Sequence, residues 1–247
     1  MKTYCKWALA LVAPMLLAGC LLIPGKFESQ LRLMNDGTYS FTYNGQMQLA
    51  EGDDKQMSSE SAMMDGESSE SQQEDDEQKN TAMRAIFGGA VPGDEEGLKK
   101  FAAQLAKYDG WNKVEYVGDN LFEVEYAVSG NFDQMFAFPT IPGATMQFPF
   151  VQIIRRSGGE LEVLTPAMAG PGGLAGAMGP LPMGDSSEKS TMEPIDGVFT
   201  IVTDGDVLTN NTEDGMTISD SMKNMRWKVD GTSGPDGSPR AIIKLNR

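Results

Sequence analysis

The chain contains no histidine. That absence removes the side chain most often used as a general base, the commonest metal ligand and the ordinary pH switch. Ser-His-Asp and Cys-His catalysis go with it. Cysteine is almost missing as well, with only Cys5 and Cys20 among 247 residues. Positive charge is scarce: 20 Lys and Arg stand against 35 Asp and Glu, a net charge of −15. Such a chain repels phosphate backbones and anionic membrane surfaces, which argues against nucleic acid as a partner. Long apolar runs are absent too. Trp7 to Ile23 reaches 17 residues with Pro14 and Gly19 inside, short of the roughly 20 that a membrane-spanning helix needs. No internal repeat is evident.

What is present begins with a processing segment. Lys2 and Lys6 form a charged start, Trp7 to Leu17 an apolar stretch, and Ala18 and Gly19 a small-residue approach to Cys20. The run Leu17-Ala18-Gly19-Cys20 resembles the lipobox of bacterial lipoproteins. The resemblance implies that residues 1–19 are a lipoprotein signal peptide and that Cys20 is the lipid attachment residue. Its thiol would take a diacylglycerol, the chain would be cut before it, and the new amine would be acylated. One acyl chain holds a membrane only marginally, at about 0.8 kcal/mol per buried methylene, whereas two or three give a stable anchor. Leu21, standing where Asp would signal retention, implies the outer membrane by the sorting rule of two-membrane bacteria. The domain would then face the periplasm or the cell surface. On that resemblance Cys5 would leave with the signal and Cys20 would carry lipid. The processed chain would then have no disulfide, no thiol chemistry and no zinc site of the His or Cys type. Residues 20–26 are expected to act as an anchor linker.

Residues 27–247 read as one α+β domain, mainly antiparallel sheet with one or two helices. Phe27, Ser29, Leu31 and Leu33 alternate with polar residues, as do Tyr39, Phe41, Tyr43, Met47 and Leu49. With Asn35-Asp36-Gly37 between them, this predicts a long β-hairpin with one aromatic face inward. From 51 to 80 the pattern collapses: 11 acidic residues, two lysines, and no aromatic, Leu, Ile or Val. That composition predicts a disordered acidic insertion, either a solvated spacer or an acidic docking and cation-binding tail. Ala82 to Phe87 is expected as a short helix. A clearer one is expected after Asp94, with Glu95 and Glu96 in its first turn and Leu98, Phe101, Ala102, Leu105 and Ala106 on one face. Strands are expected at Val114–Val117, Leu121–Val128, Phe150–Arg156, Glu160–Leu164, Val198–Thr203, Val207–Leu208, Met225–Val229 and Ala241–Leu245. Hairpin turns fall at Gly118-Asp119-Asn120, Ser157-Gly158-Gly159 and Asp204-Gly205-Asp206.

Several residue groups carry possible chemistry. Ser186 and Lys189 match Ser-x-x-Lys, the acyl-transfer signature of penicillin-recognising enzymes. The Lys-Thr-Gly partner is absent, and Ser219-Asp220-Ser221 is the nearest approach to Ser-Asp-Asn. Asp204, Asp206, Asn210, Asn211 and Asp214 offer hard oxygen ligands for calcium. The spacing misses the EF-hand pattern, and turn chemistry explains the same residues. Met222 and Met225, among 17 methionines, have a spacing suited to soft metals, with adaptable packing as the simpler account. Glu115, Glu123 and Glu125 fit the wet face of a strand better than an acid–base pair. Two apolar segments remain. Phe132 to Phe150 either packs the open end of the sheet or lines a hydrophobic cavity. Met168 to Gly184, all Gly, Pro, Ala, Leu or Met, reads as a mobile loop or a membrane contact.

The cadence Val198-Phe199-Thr200-Ile201-Val202-Thr203-Asp204-Gly205-Asp206-Val207-Leu208, with Trp227 beyond it, joins the lipobox and the strand at Asp36-Gly37-Thr38-Tyr39. Together they resemble lipoproteins of unassigned role in Gram-negative bacteria, and are distantly similar to LppM-type lipoproteins of mycobacteria. The resemblance implies an antiparallel α+β domain of lipid-binding-like fold. The expectation is therefore a lipid-anchored envelope protein, non-enzymatic, without cofactor or metal, with a binding or structural role. Its partners would be the membrane through the N-terminal lipid, and a hydrophobic ligand or another envelope protein. The ligand would lie between the sheet and the helix at Leu98 to Ala106. The alternatives are a Ser-Lys hydrolase at Ser186 and Lys189 and a calcium-stabilised domain.

Overall fold

The computed structural model describes residues 22–49, 89–133, 135–144, 149–169, 194–232 and 237–246. The fold is α+β and dominated by antiparallel strands, with one α-helix among the described residues. The expected acidic insertion 51–80, the short helix at 82–87 and the signal segment lie outside them.

The hairpin forms as expected. Strand β1 (Leu22–Leu33) pairs antiparallel with β2 (Thr38–Leu49), in a register that sets Leu33 against Tyr39, Leu31 against Phe41 and Ser29 against Tyr43. Alternation places Leu31, Leu33, Phe41 and Tyr43 wholly inside. The ladder shifts by a bulge between Pro24 and Phe27. Gly45 sits opposite, where any Cβ would collide with the Lys26 carbonyl and the Phe27 backbone. The strand also begins earlier than the expected linker allows. Residues 22–26 belong to β1, because Leu22 and Ile23 are apolar and buried.

The helix α1 (Glu95–Leu105) is capped by Asp94, whose carboxylate accepts from the Gly97 amide at 2.9 Å. That contact satisfies one of the four amides a helix start leaves open. Leu98, Phe101, Ala102 and Leu105 are its buried face.

The remaining strands are β3 (Trp111–Gly118), β4 (Leu121–Asn131), β5 (Phe136–Phe138), β6 (Val151–Arg155), β7 (Glu160–Leu164), β8 (Asp196–Thr203), β9 (Asp206–Asn210), β10 (Met216–Ser219), β11 (Met222–Val229) and β12 (Arg240–Lys244). They divide into two sheets. One has seven strands in the order β10-β11-β8-β1-β2-β4-β3, the other five in the order β5-β6-β7-β12-β9. Every pairing is antiparallel except β1 with β8.

Two expectations are corrected here. A hairpin was expected across Asp204-Gly205-Asp206, but β8 and β9 belong to different sheets. The tight turn is a crossing point: β8 pairs with β1 and β11, and β9 pairs with β12. Strands β5 and β10 were not expected, since three or four residues are too few to show a period.

One core joins both sheets. Its centre is Phe138 on β5, whose ring lies 4.9 Å from Phe41, 5.2 Å from Tyr43, 4.5 Å from Tyr126, 5.8 Å from Trp111 and 6.0 Å from Phe150. Offset and edge-on aromatic pairs at such separations contribute about 0.5–1.5 kcal/mol each beyond burial. The described part of the Phe132 to Phe150 segment therefore packs the core: Phe132, Phe136, Phe138, Ile141 and Phe150 are all buried.

Candidate functional site

The seam between helix and sheet, expected to hold a hydrophobic ligand, holds protein side chains. Leu98 is 0 % and Phe101 4 % exposed, and the Phe101 ring meets Phe122 edge-on at 5.8 Å. Phe122 in turn packs on Tyr116 at 5.5 Å. A ligand there would have to displace them. The Met168 to Gly184 segment is described only at its start, where Met168 and Ala169 are buried in a short 3-10 turn (Pro166–Ala169). Burial of these two residues corrects the mobile-loop reading at that point, and the rest lies outside the described residues.

Two of the calcium-type residues, Asp204 and Asp206, lie in a polar network where the chain crosses from one sheet to the other. Asn35, in the β1–β2 turn, donates its amide to the Asp204 carboxylate at 2.7 Å and its side-chain nitrogen to the Asp204 carbonyl at 3.0 Å. The Asn35 side-chain oxygen accepts from the Asn246 amide at 2.8 Å. Asp206 pairs with Lys223 at 3.3 Å and accepts from the Asn246 side chain at 2.9 Å. Lys223 also donates to the Gly205 carbonyl at 2.6 Å. The hydrogen bond from Asn246, then that from Lys223 and its charge, hold the Asp206 carboxyl below the usual range. A polar clasp thus ties β1, β8, β9, β11 and β12 at one end of the fold.

Asn211 makes a second tie. Its side-chain oxygen accepts from the Trp227 indole at 3.0 Å and the Arg240 amide at 2.8 Å, and its nitrogen donates to the Ser238 carbonyl at 2.7 Å. Asn210 closes its own turn by accepting from the Thr212 amide and hydroxyl. No group of three acidic residues suited to a metal ion occurs among the described residues.

Other sequence candidates are also placed. Glu115 and Glu123 are cross-strand partners on the outer face, where Glu115 pairs with Lys113 at 3.2 Å and Glu123 accepts from Gln46 at 2.9 Å. Glu125 is exposed. Met225 is buried and Met222 half-buried, at opposite ends of a strand segment. They alternate to opposite faces, which two ligands to one ion cannot do. Ser219-Asp220-Ser221 is a hairpin turn: Asp220 and Ser221 both have positive φ, 48° and 67°, the two-residue turn that matches strand twist. Ser186, Lys189 and Cys20 lie outside the described residues. Tyr43 is a fully buried phenol. Burial, with Glu123 as a lesser cause, pushes it well above its usual value, and its hydroxyl donates to the Gln46 carbonyl at 2.6 Å.

The feature that sequence reasoning missed is a groove of about 400 Å³ lined by Phe27, Asp196, Gly197, Val198, Asp214, Arg226 and Lys228. Register explains the gathering. Val198 lies between Glu28 of β1 and Lys228 of β11, and Arg226 sits opposite Thr200. Gly197 leaves room for the Phe27 ring, which a Cβ would strike. Arg226 and Lys228 form no ion pair among the described residues. The groove thus offers two cations and two carboxylates on an otherwise acidic chain. A period-two pattern locates such residues on an outer face but not which strands lie side by side.

No family model matches this chain, and no curated protein matches it. Among solved structures it is similar to the folded domain of the LppM protein of Mycobacterium tuberculosis, at 14 % identity and a TM-score of 0.31, over 92 % of this chain and 95 % of that one. Similarity at that level does not establish a shared fold.

Proposed function

We propose that this chain is a lipid-anchored, non-enzymatic binding protein of the bacterial cell envelope, carried on the outer membrane by Cys20. What supports it is the lipobox-like run Leu17-Ala18-Gly19-Cys20, with β1 beginning soon after at Leu22. Leu22 and Ile23 are 9 % and 3 % exposed, so a lipid on Cys20 would stand one residue in sequence from the fold. The 12 residues of β1 extend about 40 Å at roughly 3.3 Å per residue. That length puts the Asn35 turn at the far end and the groove of Asp196 and Lys228 near the tether, since Asp196 pairs with Lys26.

The lining of the groove suits a small ligand carrying both signs of charge. Arg226 and Lys228 would hold its anionic group, and Asp196 and Asp214 its cationic one. The missing histidines and the structural duties of Asp204, Asp206 and Asn211 support a non-enzymatic role.

Labelled palmitate tests the anchor. Wild type incorporates it, whereas Cys20→Ser loses it and leaves uncut precursor. Persisting label in the variant overturns the anchor. A fluorophosphonate probe that marks wild type but spares Ser186→Ala would overturn the non-enzymatic part. Native mass spectrometry of the purified chain distinguishes ligand classes. A polar adduct lost in Arg226→Ala supports the groove, and a co-purifying lipid returns the ligand to a hydrophobic site.

A further inference from the structure

Among the described residues the two sheets end in four edge strands, and three of them carry devices that block pairing with another chain. β3 bears Lys113 and Glu115 and two register shifts against β4. β5 is three residues long and runs into Pro139. β9 begins with Asp206 and has a register shift against β12. β10 is also short, at four residues, but lacks the charge, the proline and the register shift of the others. Met216-Thr217-Ile218-Ser219 is uncharged, unbroken in its register with β11 and exposed at all four positions, with Ile218 64 % and Met216 36 % exposed.

The turn shows which backbone groups face away from β11. Asp220-Ser221 closes the hairpin, so Ser219 bonds across to Met222, and by antiparallel alternation Thr217 bonds across to Asn224. The N–H and C=O of Met216 and Ile218 point to the open side. Acidic residues flank the strand: Glu213 and Asp214 before it, Asp220 after it.

We propose that β10 is a docking edge for an extended segment of another protein. That segment would be apolar or β-branched at alternate positions, would carry lysine or arginine at both ends, and would add to the sheet as an antiparallel strand. Charge complementarity selects this occupant over a second copy. Two β10 strands set antiparallel would bring Glu213 and Asp214 of each beside Asp220 of the other, a like-charge contact repeated at both ends. The assignment stands apart from the anchor and shares one residue, Asp214, with the groove.

The test uses the full chain in detergent and two blocked peptides sharing a Thr-Val-Thr-Val centre, one flanked by lysines and one by glutamates. The lysine-flanked peptide should slow hydrogen exchange across β10 by about tenfold or more, an effect weakened by salt. The glutamate-flanked peptide should not. Ile218→Pro, which removes an outward N–H where edge strands tolerate proline, should abolish protection and leave exchange in β1 and β2 unchanged. Ile218→Lys should do the same by repelling the peptide, should the proline variant lose its hairpin. Equal protection by both peptides, protection by neither, or a dimer in sedimentation that itself protects β10 would each overturn the proposal.

Discussion

Phe138 and Ile218 are both large apolar residues in short edge strands, yet Phe138 is 1 % exposed and Ile218 64 %. The position of a strand in its sheet does not decide burial. What lies across the layer does. β5 sits over the aromatic face of β2, so Phe138 meets Phe41, Tyr43 and Tyr126 at once. β10 lies at the end of the seven-stranded sheet and, among the described residues, pairs only with β11. One edge is therefore part of the core, and the other is exposed among the described residues.

The largest test of that contrast is truncation at both places. Phe138→Ala should destabilise the fold by about 3–5 kcal/mol, through lost transfer energy and a cavity among five rings. Ile218→Ala should stay within about 0.5 kcal/mol, as exposed sites do. Urea unfolding of both variants measures the difference, and comparable losses would break the comparison.

Asn211→Ala comes next. It removes three hydrogen bonds and leaves the indole N–H of Trp227, 5 % exposed, without its acceptor. A buried donor left unpaired costs about 1–3 kcal/mol, and a shift in tryptophan fluorescence should accompany the loss.

Smaller still is Ser221→Gly. Ser221 has φ of 67°, where glycine is unstrained, so thermal unfolding should show a gain of about 1 kcal/mol. That gain sharpens the β10–β11 hairpin without touching its open edge.

The smallest effect concerns Asp206. Its carboxyl is held below the usual range by Asn246 and Lys223. Its contribution to stability is full above the unfolded value, near 3.9, and is lost as pH falls through the lower folded value. Asp206→Asn should flatten the acid limb of the stability profile between those values, and carboxyl NMR titration of wild type should give the depressed midpoint directly.

The β1–β2 hairpin and α1 were legible because their signals are local. Twelve residues of alternation and a DG turn predict one, and Asp94 with a stripe at Leu98, Phe101 and Leu105 predicts the other. The two-sheet division was not legible. Asp204-Gly205-Asp206 has the composition of a hairpin turn whether its flanking strands pair with each other or leave for different sheets. The parallel contact of β1 with β8 joins residues some 170 positions apart, and nothing in a local pattern encodes that. The candidate calcium ligands show the same limit. Asx side chains serve ions, turns and inter-sheet ties alike, and only their partners tell which.

The amino-acid order by itself determined the absence of imidazole chemistry, the acidic surface, the α+β class, the hairpin, the helix and the resemblance of Cys20 to a lipidation site. All of these follow from composition or from neighbours in the chain. Tertiary structure alone decided that Phe132, Phe136, Phe138, Ile141 and Phe150 are core, that Asp206 and Asn211 fasten two sheets, that Arg226 and Lys228 share a groove, and that β10 is an edge among the described residues. Each depends on which strand lies beside or across from which. That choice is made by long-range burial of aromatic side chains, which a period of two specifies only as inward or outward.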